Sequence, residues 1–323
     1  MEISKQKISK QKISLILPAF NEELTIKDTI LDFFFHFPEL NIFVINNAST
    51  DKTSDIAIKV FNDMNIKGKV LEEKNKGKGN ALRKAFSEIN SDIYIICDAD
   101  TTYKAIDLSS MLVKFNKNNL DMLVGNRHDN NEYKFTNQRK FHNFGNKLIC
   151  LLLNKMFNAN ANDVLSGYRV LSKRFIKLFP NLSKGFEIET ELTTHAFEYG
   201  FKYDEYPIKY ENRPEGSLSK LNTFKDGFLV LLSLLNLFRF HRPMLFFSIS
   251  SLFFLFLSLY FGGFVLYEYY LTNFISHVPL AILATGFALI SIVFFVTGMV
   301  LESIRRSNLI SFILHKNNFN DQK

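Results

Sequence analysis

The stretch Ile93-Tyr94-Ile95-Ile96-Cys97-Asp98-Ala99-Asp100 carries the first decision about this chain. Its apolar run, rich in β-branched side chains, predicts a fully buried strand that stops at two carboxylates. In an open parallel α/β sheet the carboxyl ends of the strands border the ligand crevice. Asp98 and Asp100 would there offer two hard oxygen ligands to one divalent cation. Mg²⁺ in such a place is usually held by one or two carboxylates plus phosphate oxygens. The plainer alternative makes Asp98 a helix cap and Asp100 a solvated loop acid. D-x-D alone is common, so the surrounding chain has to decide.

Upstream and downstream, strand and helix patterns alternate. Strands are predicted at Ile13–Leu17, Ile42–Ile45, Lys69–Glu72, Met122–Val124 and Phe201–Lys209. Helices are predicted at Leu24–Phe35, Ser54–Asn62, Ala81–Ile89, Ala105–Asn116 and Asn137–Leu153, with another opening at Phe186–Leu192. Short loops between alternating elements predict an α/β fold with a doubly wound, mostly parallel, Rossmann-like sheet. The first and fourth strands should lie side by side, so that Pro18–Glu22 and Asp98–Asp100 share one crevice.

A chain of 323 residues can hold one α/β domain and something more. The 35 Phe are concentrated late, which points to lipid. A net charge of +7 suits nucleic acid, phosphorylated substrates or an anionic membrane surface. Nucleic acid fits poorly: its binders interleave basic residues with exposed aromatics on one face, whereas here the aromatics gather in lipid-length runs. Cys97 and Cys150 have no metal-ligand spacing and read as reduced thiols. The seven His never fall at helical ligand spacing, which disfavours zinc. Residues 1–12 hold a tandem basic repeat, Ile3–Lys7 and Ile8–Lys12, read as a tail. The apolar run behind it is too short for a signal peptide and ends at Pro18.

The character changes near residue 223. Residues 223–242 read as an interfacial helix, and 243–310 as a transmembrane hairpin. Met244–Tyr267 and Val278–Leu301 carry no charged residue. Each would make roughly 36 Å of helix against a hydrocarbon core of about 30 Å. The linker Glu268–His277 lacks Lys and Arg, while Arg239, Arg242, Arg305, Arg306 and Lys316 flank the pair outside. The positive-inside rule then places residues 13–222, the tail 311–323 and both termini in the cytoplasm. Homo-oligomerisation through these helices is left open. The Lys-, Asn-, Ile- and Phe-rich composition suggests a bacterium, hence an inner membrane.

Several ordered motifs accompany D-x-D: Leu17-Pro18-Ala19-Phe20-Asn21-Glu22-Glu23, Asn47-Ala48-Ser49-Thr50-Asp51, Asn75-Lys76-Gly77-Lys78-Gly79, Gly125-Asn126-Arg127, Asp163-Val164-Leu165-Ser166-Gly167-Tyr168-Arg169, and Arg213 with Ser219-Lys220-Leu221. Together they resemble the family 2 glycosyltransferases, in the branch that loads a sugar onto a polyprenyl phosphate, such as dolichol-phosphate mannose synthase and undecaprenyl-phosphate glycosyltransferases. The resemblance implies a GT-A-type fold at 13–222 and a nucleotide-sugar pocket lined by Pro18, Phe20, Glu22, Asn47, Lys76, Gly79, Asp98, Ala99 and Asp100. It implies Mg²⁺ or Mn²⁺ on Asp98 and Asp100, and Arg127, Arg139, Arg213 and Lys220 around the phosphates of donor and acceptor. Gly77 and Gly79 would let the backbone approach phosphate at a helix start. Catalysis would centre on Asp98, Asp100, Arg127 and Arg213. Glu187, Glu189 and Glu191 cannot all share one helix face, and none is given a catalytic role.

A lipid phosphate has a second pKa of about 6 and is already a dianion near neutral pH. It can attack the anomeric carbon with inversion and without a general base. The family usually carries Asp at one or both positions held here by Asn46 and Asn47. Guanine would present two donors to the single side-chain oxygen of Asn47, whereas uracil presents one, which favours a UDP-sugar over GDP-mannose. A GDP-mannose-dependent mannose synthase is the alternative within the class. A processive polysaccharide synthase would need a Gln-x-x-Arg-Trp motif, and the chain has no Trp. A non-catalytic membrane scaffold that only binds nucleotide sugar would have a damaged D-x-D or missing cations, and neither is seen.

Overall fold

The computed structural model describes residues 11–127, 140–180, 182–214 and 235–321, the side chains of 140–144, 320 and 321 excepted. Its strands are β1 (Ile13–Ala19), β2 (Asn41–Asn47), β3 (Gly68–Glu73), β4 (Ile93–Ile96), β5 (Met122–Asn126), β6 (Arg169–Ser172) and β7 (Tyr203–Pro207). They form one sheet in the order β3-β2-β1-β4-β6-β5-β7. β1 pairs in parallel with β2 on one side and β4 on the other, so the chain reverses its winding at β1/β4, as the strand pattern predicts. Leu15, Ile16, Leu17, Tyr94 and Ile95 are wholly buried. Such continuous apolar strands belong to a sheet covered on both faces.

The covering helices are α1 (Ile26–His36), α2 (Thr53–Asp63), α3 (Lys78–Glu88), α4 (Ile106–Lys117), α5 (Lys140–Phe157), α6 (Lys173–Leu178) and α7 (Ile188–Glu198). β6 runs antiparallel to both β4 and β5 and has no counterpart among the sequence-based expectations. It is four residues long and opens on Arg169, only 1% exposed. Neither a period-2 pattern nor an apolar run marks it. The Arg169 guanidinium is satisfied by the carbonyls of Ser166 and Val164 (2.9 and 2.6 Å) and the Thr193 hydroxyl (3.0 Å).

Phe228–Lys323 form a second compact unit. Residues 235–241 are helical, and the rest of the expected interfacial helix lies outside the described residues. α8 (Pro243–Thr272) starts with Pro at its first turn, where a missing N–H costs nothing. α9 (Val278–Asp321) has 44 residues and continues through most of the segment expected as a separate tail from 311. No Gly or Pro follows Gly298 to stop it. α8 and α9 are long and apolar enough to cross a membrane. They are clasped by Ser251 and Ser291, whose hydroxyls each donate to the other's backbone carbonyl (2.8 and 2.9 Å), and by Ser258 donating to the Ala284 carbonyl (2.8 Å). Polar clasps of this kind suit a medium where helices gain little from hydrophobic contact with one another.

Candidate functional site

The ends of β1, β2 and β4 turn out of the sheet through Asn21, Ala48 and Thr101, all left-handed at φ 54°, 56° and 62°. Such backbone is costly for residues with a Cβ, and hydrogen bonds hold it here. Thr50 N–H donates to Asn21 Oδ1 (2.7 Å), Glu22 N–H to Thr53 Oγ1 (2.8 Å) and Thr102 N–H to Asp100 Oδ1 (3.2 Å). The Thr25 hydroxyl donates to the Ala99 carbonyl at 2.8 Å, tying the β1 loop to the β4 loop. Pro18–Glu22 and Asp98–Asp100 therefore share one crevice, as expected.

Asp100 is 4% exposed, and its Oδ2 lies 2.6 Å from the Arg213 guanidinium. Glu22 Oε1 approaches Arg213 at 3.5 Å. Burial works against the Arg213 charge, but Asp100 and then Glu22 outweigh it and raise its pKa above the ordinary arginine value. Asp98 meets a second cation that the sequence analysis passed over: Lys78 Nζ lies 2.5 Å from Asp98 Oδ1 and 2.6 Å from Glu189 Oε1. Burial again opposes the charge, and the two carboxylates hold the Lys78 ammonium above the usual lysine range. Lys78 is the first residue of α3, where a cation runs against the helix dipole. That misplacement was the available signal of a buried anionic partner. Glu189, on α7, is the buried member of the three acids, whereas Glu187 is exposed.

The glycines at the start of α3, Gly77 and Gly79, meet protein backbone where phosphate was expected. A Cβ on Gly77 would overlap the Lys184 carbonyl, and one on Gly79 the Ser183 carbonyl. Gly79 and Asn80 donate their N–H groups to the carbonyls of Gly185 and Lys184 (3.1 and 3.2 Å). The helix start is thus filled by the 183–185 strap. Gly79 lets protein backbone approach here, and its amide is not directed at a ligand.

Asn47 is corrected in the same way. Its Oδ1 accepts from Gly77 N–H (2.6 Å) and its Nδ2 donates to the Asn75 carbonyl (2.7 Å), so its amide positions the 75–77 loop instead of reading a base. That loop carries Lys76, whose ammonium sits 5.0 Å from the Phe20 ring centroid. Phe20 and Lys76 are brought together, and Pro18, two residues before Phe20, is half-buried.

Arg127 differs from the expectation of a cation open to phosphate. It is 5% exposed and forks onto Asp163, Nε to Oδ2 and NH2 to Oδ1, both at 2.8 Å. Asp163 also accepts from the Arg127 backbone N–H (3.1 Å) and from Asn146 Nδ2 (3.3 Å). Four residues on, Gly167 packs so tightly against the Asp98 carboxylate that a Cβ would overlap it. Arg139 and Lys220 lie outside the described residues.

Among the described residues the crevice thus sets Glu22, Asp98, Asp100 and Glu189 against Lys78 and Arg213, a surplus of two negative charges. Hard oxygens with that surplus fit a divalent cation shared with phosphate oxygens. Among the described residues no cluster of three or more His, Cys, Asp or Glu could hold a metal on its own. The remaining ligands would be water or the oxygens of a bound phosphate.

The family model described as Glycosyl transferase family 2 matches residues 14–179. An uncharacterized Shigella flexneri protein is 44% identical over 159 residues, covering 48% of this chain and 98% of that protein. Glycosyltransferase AglJ of Haloferax volcanii is 26% identical over 298 residues, covering 90% of this chain and 93% of its own. Among solved structures, glucosyl-3-phosphoglycerate synthase of Mycobacterium tuberculosis, in complex with Mn²⁺, UDP and glucosyl-3-phosphoglycerate, matches with a TM-score of 0.54 and 18% identity, over 73% of this chain and 81% of that one. The last likeness is one of fold. With the family match spanning half the sequence and the D-x-D at the expected strand end, the chain belongs to glycosyl transferase family 2.

Proposed function

We propose that this glycosyltransferase moves a sugar from a UDP-sugar to the phosphate of a membrane polyprenyl phosphate, with inversion at the anomeric carbon. The observation that carries the acceptor is the pairing of every carboxylate described above in the crevice. Glu22 and Asp100 face Arg213, and Asp98 and Glu189 face Lys78. A carboxylate held by a cation is a poor base for an acceptor hydroxyl. A phosphate monoester needs no base, because it arrives as a dianion. The two membrane-length helices supply the reason for a lipid on that phosphate.

Asp98 and Asp100 would hold Mg²⁺ or Mn²⁺, which supplies charge neutralisation on the departing diphosphate. Arg213 and Lys78 stand against the same two acids and would add positive charge to the crevice without proton transfer. Holding attacking and leaving groups in line is the rest of the task. Arg139 and Lys220 remain candidates for the acceptor phosphate, and Arg127 would join them only by exchanging Asp163 for it. For the donor, the UDP carried by the fold relative supports uridine over guanine, and the Asn47 amide no longer bears on the choice. The charge flanks of α8 and α9 support a cytoplasmic crevice at a bacterial inner membrane.

Purified protein in detergent, incubated with polyprenyl phosphate and labelled nucleotide sugars, should move label into the organic phase. UDP should compete with the donor more strongly than GDP. Stronger inhibition by GDP would overturn the uridine assignment. Label passing only to water-soluble acceptors would overturn the lipid.

A further inference from the structure

Both acids of the D-x-D already carry protein cations, and the two cations differ in setting. Arg213 keeps about a quarter of its side chain exposed (27%), while the Lys78 side chain is 6% exposed. The Lys78 ammonium has two carboxylate partners, Asp98 at 2.5 Å and Glu189 at 2.6 Å. Charge-assisted hydrogen bonds this short are among the stronger ones in proteins. The partners come from different elements: Lys78 from the start of α3, Asp98 from the loop after β4, Glu189 from the first turn of α7. Gly167 closes the other side of Asp98.

A bare dication is drawn by the surplus negative charge, yet Asp98 Oδ1 is already bonded to a buried ammonium and Oδ2 lies against Gly167, so ligating Asp98 competes with Lys78. Removing one partner of a buried ion pair is expensive unless the stranded charge finds another. A dication bound to a diphosphate brings such a partner, because the phosphate oxygens can receive Lys78 as the metal takes Asp98. Glu189 stays on Lys78 throughout and holds the ammonium in place, but it is one carboxylate where there were two, so bare metal leaves Lys78 a partner short and metal with diphosphate does not.

We propose that Lys78 is a resident counter-ion of Asp98 that excludes bare divalent metal and yields Asp98 only to metal arriving with a nucleotide diphosphate, while Glu189 retains the ammonium during the exchange. This rests on the assignment of a nucleotide-sugar donor and a metal to the crevice, and it is independent of the acceptor. Metal and nucleotide should then bind with strong mutual enhancement, equal in both directions.

The test is Mn²⁺ binding to the full-length protein in detergent, followed by electron paramagnetic resonance of free Mn²⁺, alone and with saturating UDP or GDP. Wild type should bind Mn²⁺ about tenfold or more tightly with nucleotide than without. Lys78→Met should bind bare Mn²⁺ at least about tenfold more tightly than wild type, and most of the enhancement by nucleotide should vanish. Lys78→Arg should keep the exclusion. The wild-type titration needs no variant, so a poorly folding Lys78→Met does not rescue the proposal. Equal Mn²⁺ affinity with and without a nucleotide that does bind would overturn this proposal and leave the donor assignment standing. Binding of neither nucleotide would remove the donor assignment, and this proposal with it.

Discussion

Arg127 and Asp163 are locked face to face in the protein interior, two parallel 2.8 Å hydrogen bonds joining a guanidinium that is 5% exposed to a carboxylate that is fully buried. The pair joins the end of β5 to the loop that brings Gly167 against Asp98. Breaking a buried pair by removing one partner costs about 3–5 kcal/mol, because the other charge is left uncompensated. Asp163→Leu should therefore destabilise the α/β unit by about that amount, read as a lowered midpoint in denaturant. The double variant Arg127→Met/Asp163→Leu should recover much of the loss. A double variant as unstable as the sum of the singles would show that the pair does not act as a unit.

Gly77 has φ 129°, and a Cβ there would run into the Lys184 carbonyl. Gly77→Ala therefore combines a forbidden backbone with an overlap and should cost about 1–3 kcal/mol. The damage should appear as faster hydrogen exchange in 183–185 and in the first turn of α3, where Gly79 and Asn80 are bonded to the strap. A variant with unchanged exchange and lost nucleotide affinity would instead restore the phosphate role first expected of these glycines.

Asp98→Asn and Asp100→Asn should each lower turnover by about 10²-fold or more, the scale seen when one preorganised electrostatic group is removed. They should differ in stability. Asp100 is buried and holds Arg213 and Thr102, whereas the Asp98 side chain is 30% exposed, so Asp100→Asn should unfold at lower denaturant. Chelation by EDTA should abolish transfer, and Mg²⁺ or Mn²⁺ should restore it. Full activity in chelator would leave Asp98 and Asp100 with their ion pairs as their only role.

The parts of the fold that were legible are those with a local signal. Ile93–Ile96 is an uninterrupted apolar strand, and Asp98 and Asp100 follow it directly. β6 was illegible because four residues opening on a buried arginine show neither period nor apolarity. Lys78 and Glu189 are 111 positions apart, and only the folded sheet brings α3 and α7 to the same acid. The D-x-D and Arg213 were therefore readable as site residues, while the pairing of Lys78 with Asp98 and Glu189 was not. Asn47 and Gly79 were read from motifs as pocket residues, but their hydrogen-bonding groups are engaged by neighbouring backbone, which depends on the strap at 183–185 and the loop at 75–77.

The cysteines give a prediction with a definite sign. Cys97 is fully buried in the strand end, and burial pushes its thiol well above the ordinary value, with Asp98 and Asp100 adding to the effect. Burial likewise pushes Cys150 up to about 12. A raised pKa means less thiolate at any pH below it, and the thiolate is the reactive form. At pH 8 neither thiol of the folded protein should react with a maleimide within the time in which both react after unfolding in guanidinium. Labelling of Cys97 in the folded state would show that the strand end opens to solvent.

The remaining prediction concerns which side of the membrane the ends of α8 and α9 face. The linker between the apolar stretches has no Lys or Arg, whereas Arg239 and Arg242 precede α8 and Arg305, Arg306 and Lys316 lie on the far half of α9. Basic residues near the ends of a span are retained in the cytoplasm, so the linker should be outside and the crevice-bearing unit inside. α9 adds a physical constraint. At 44 residues it is about 66 Å long, twice what a bilayer core of about 30 Å requires, and its charges from Glu302 onward forbid burying the second half in lipid. That half must project on the basic side. A phosphatase reporter fused within residues 268–277 should be active outside the cell, and the same reporter after Lys323 should be silent. An active reporter at Lys323 would put the basic flank outside, separate the crevice from cytoplasmic nucleotide sugars, and remove the lipid-phosphate assignment at its root.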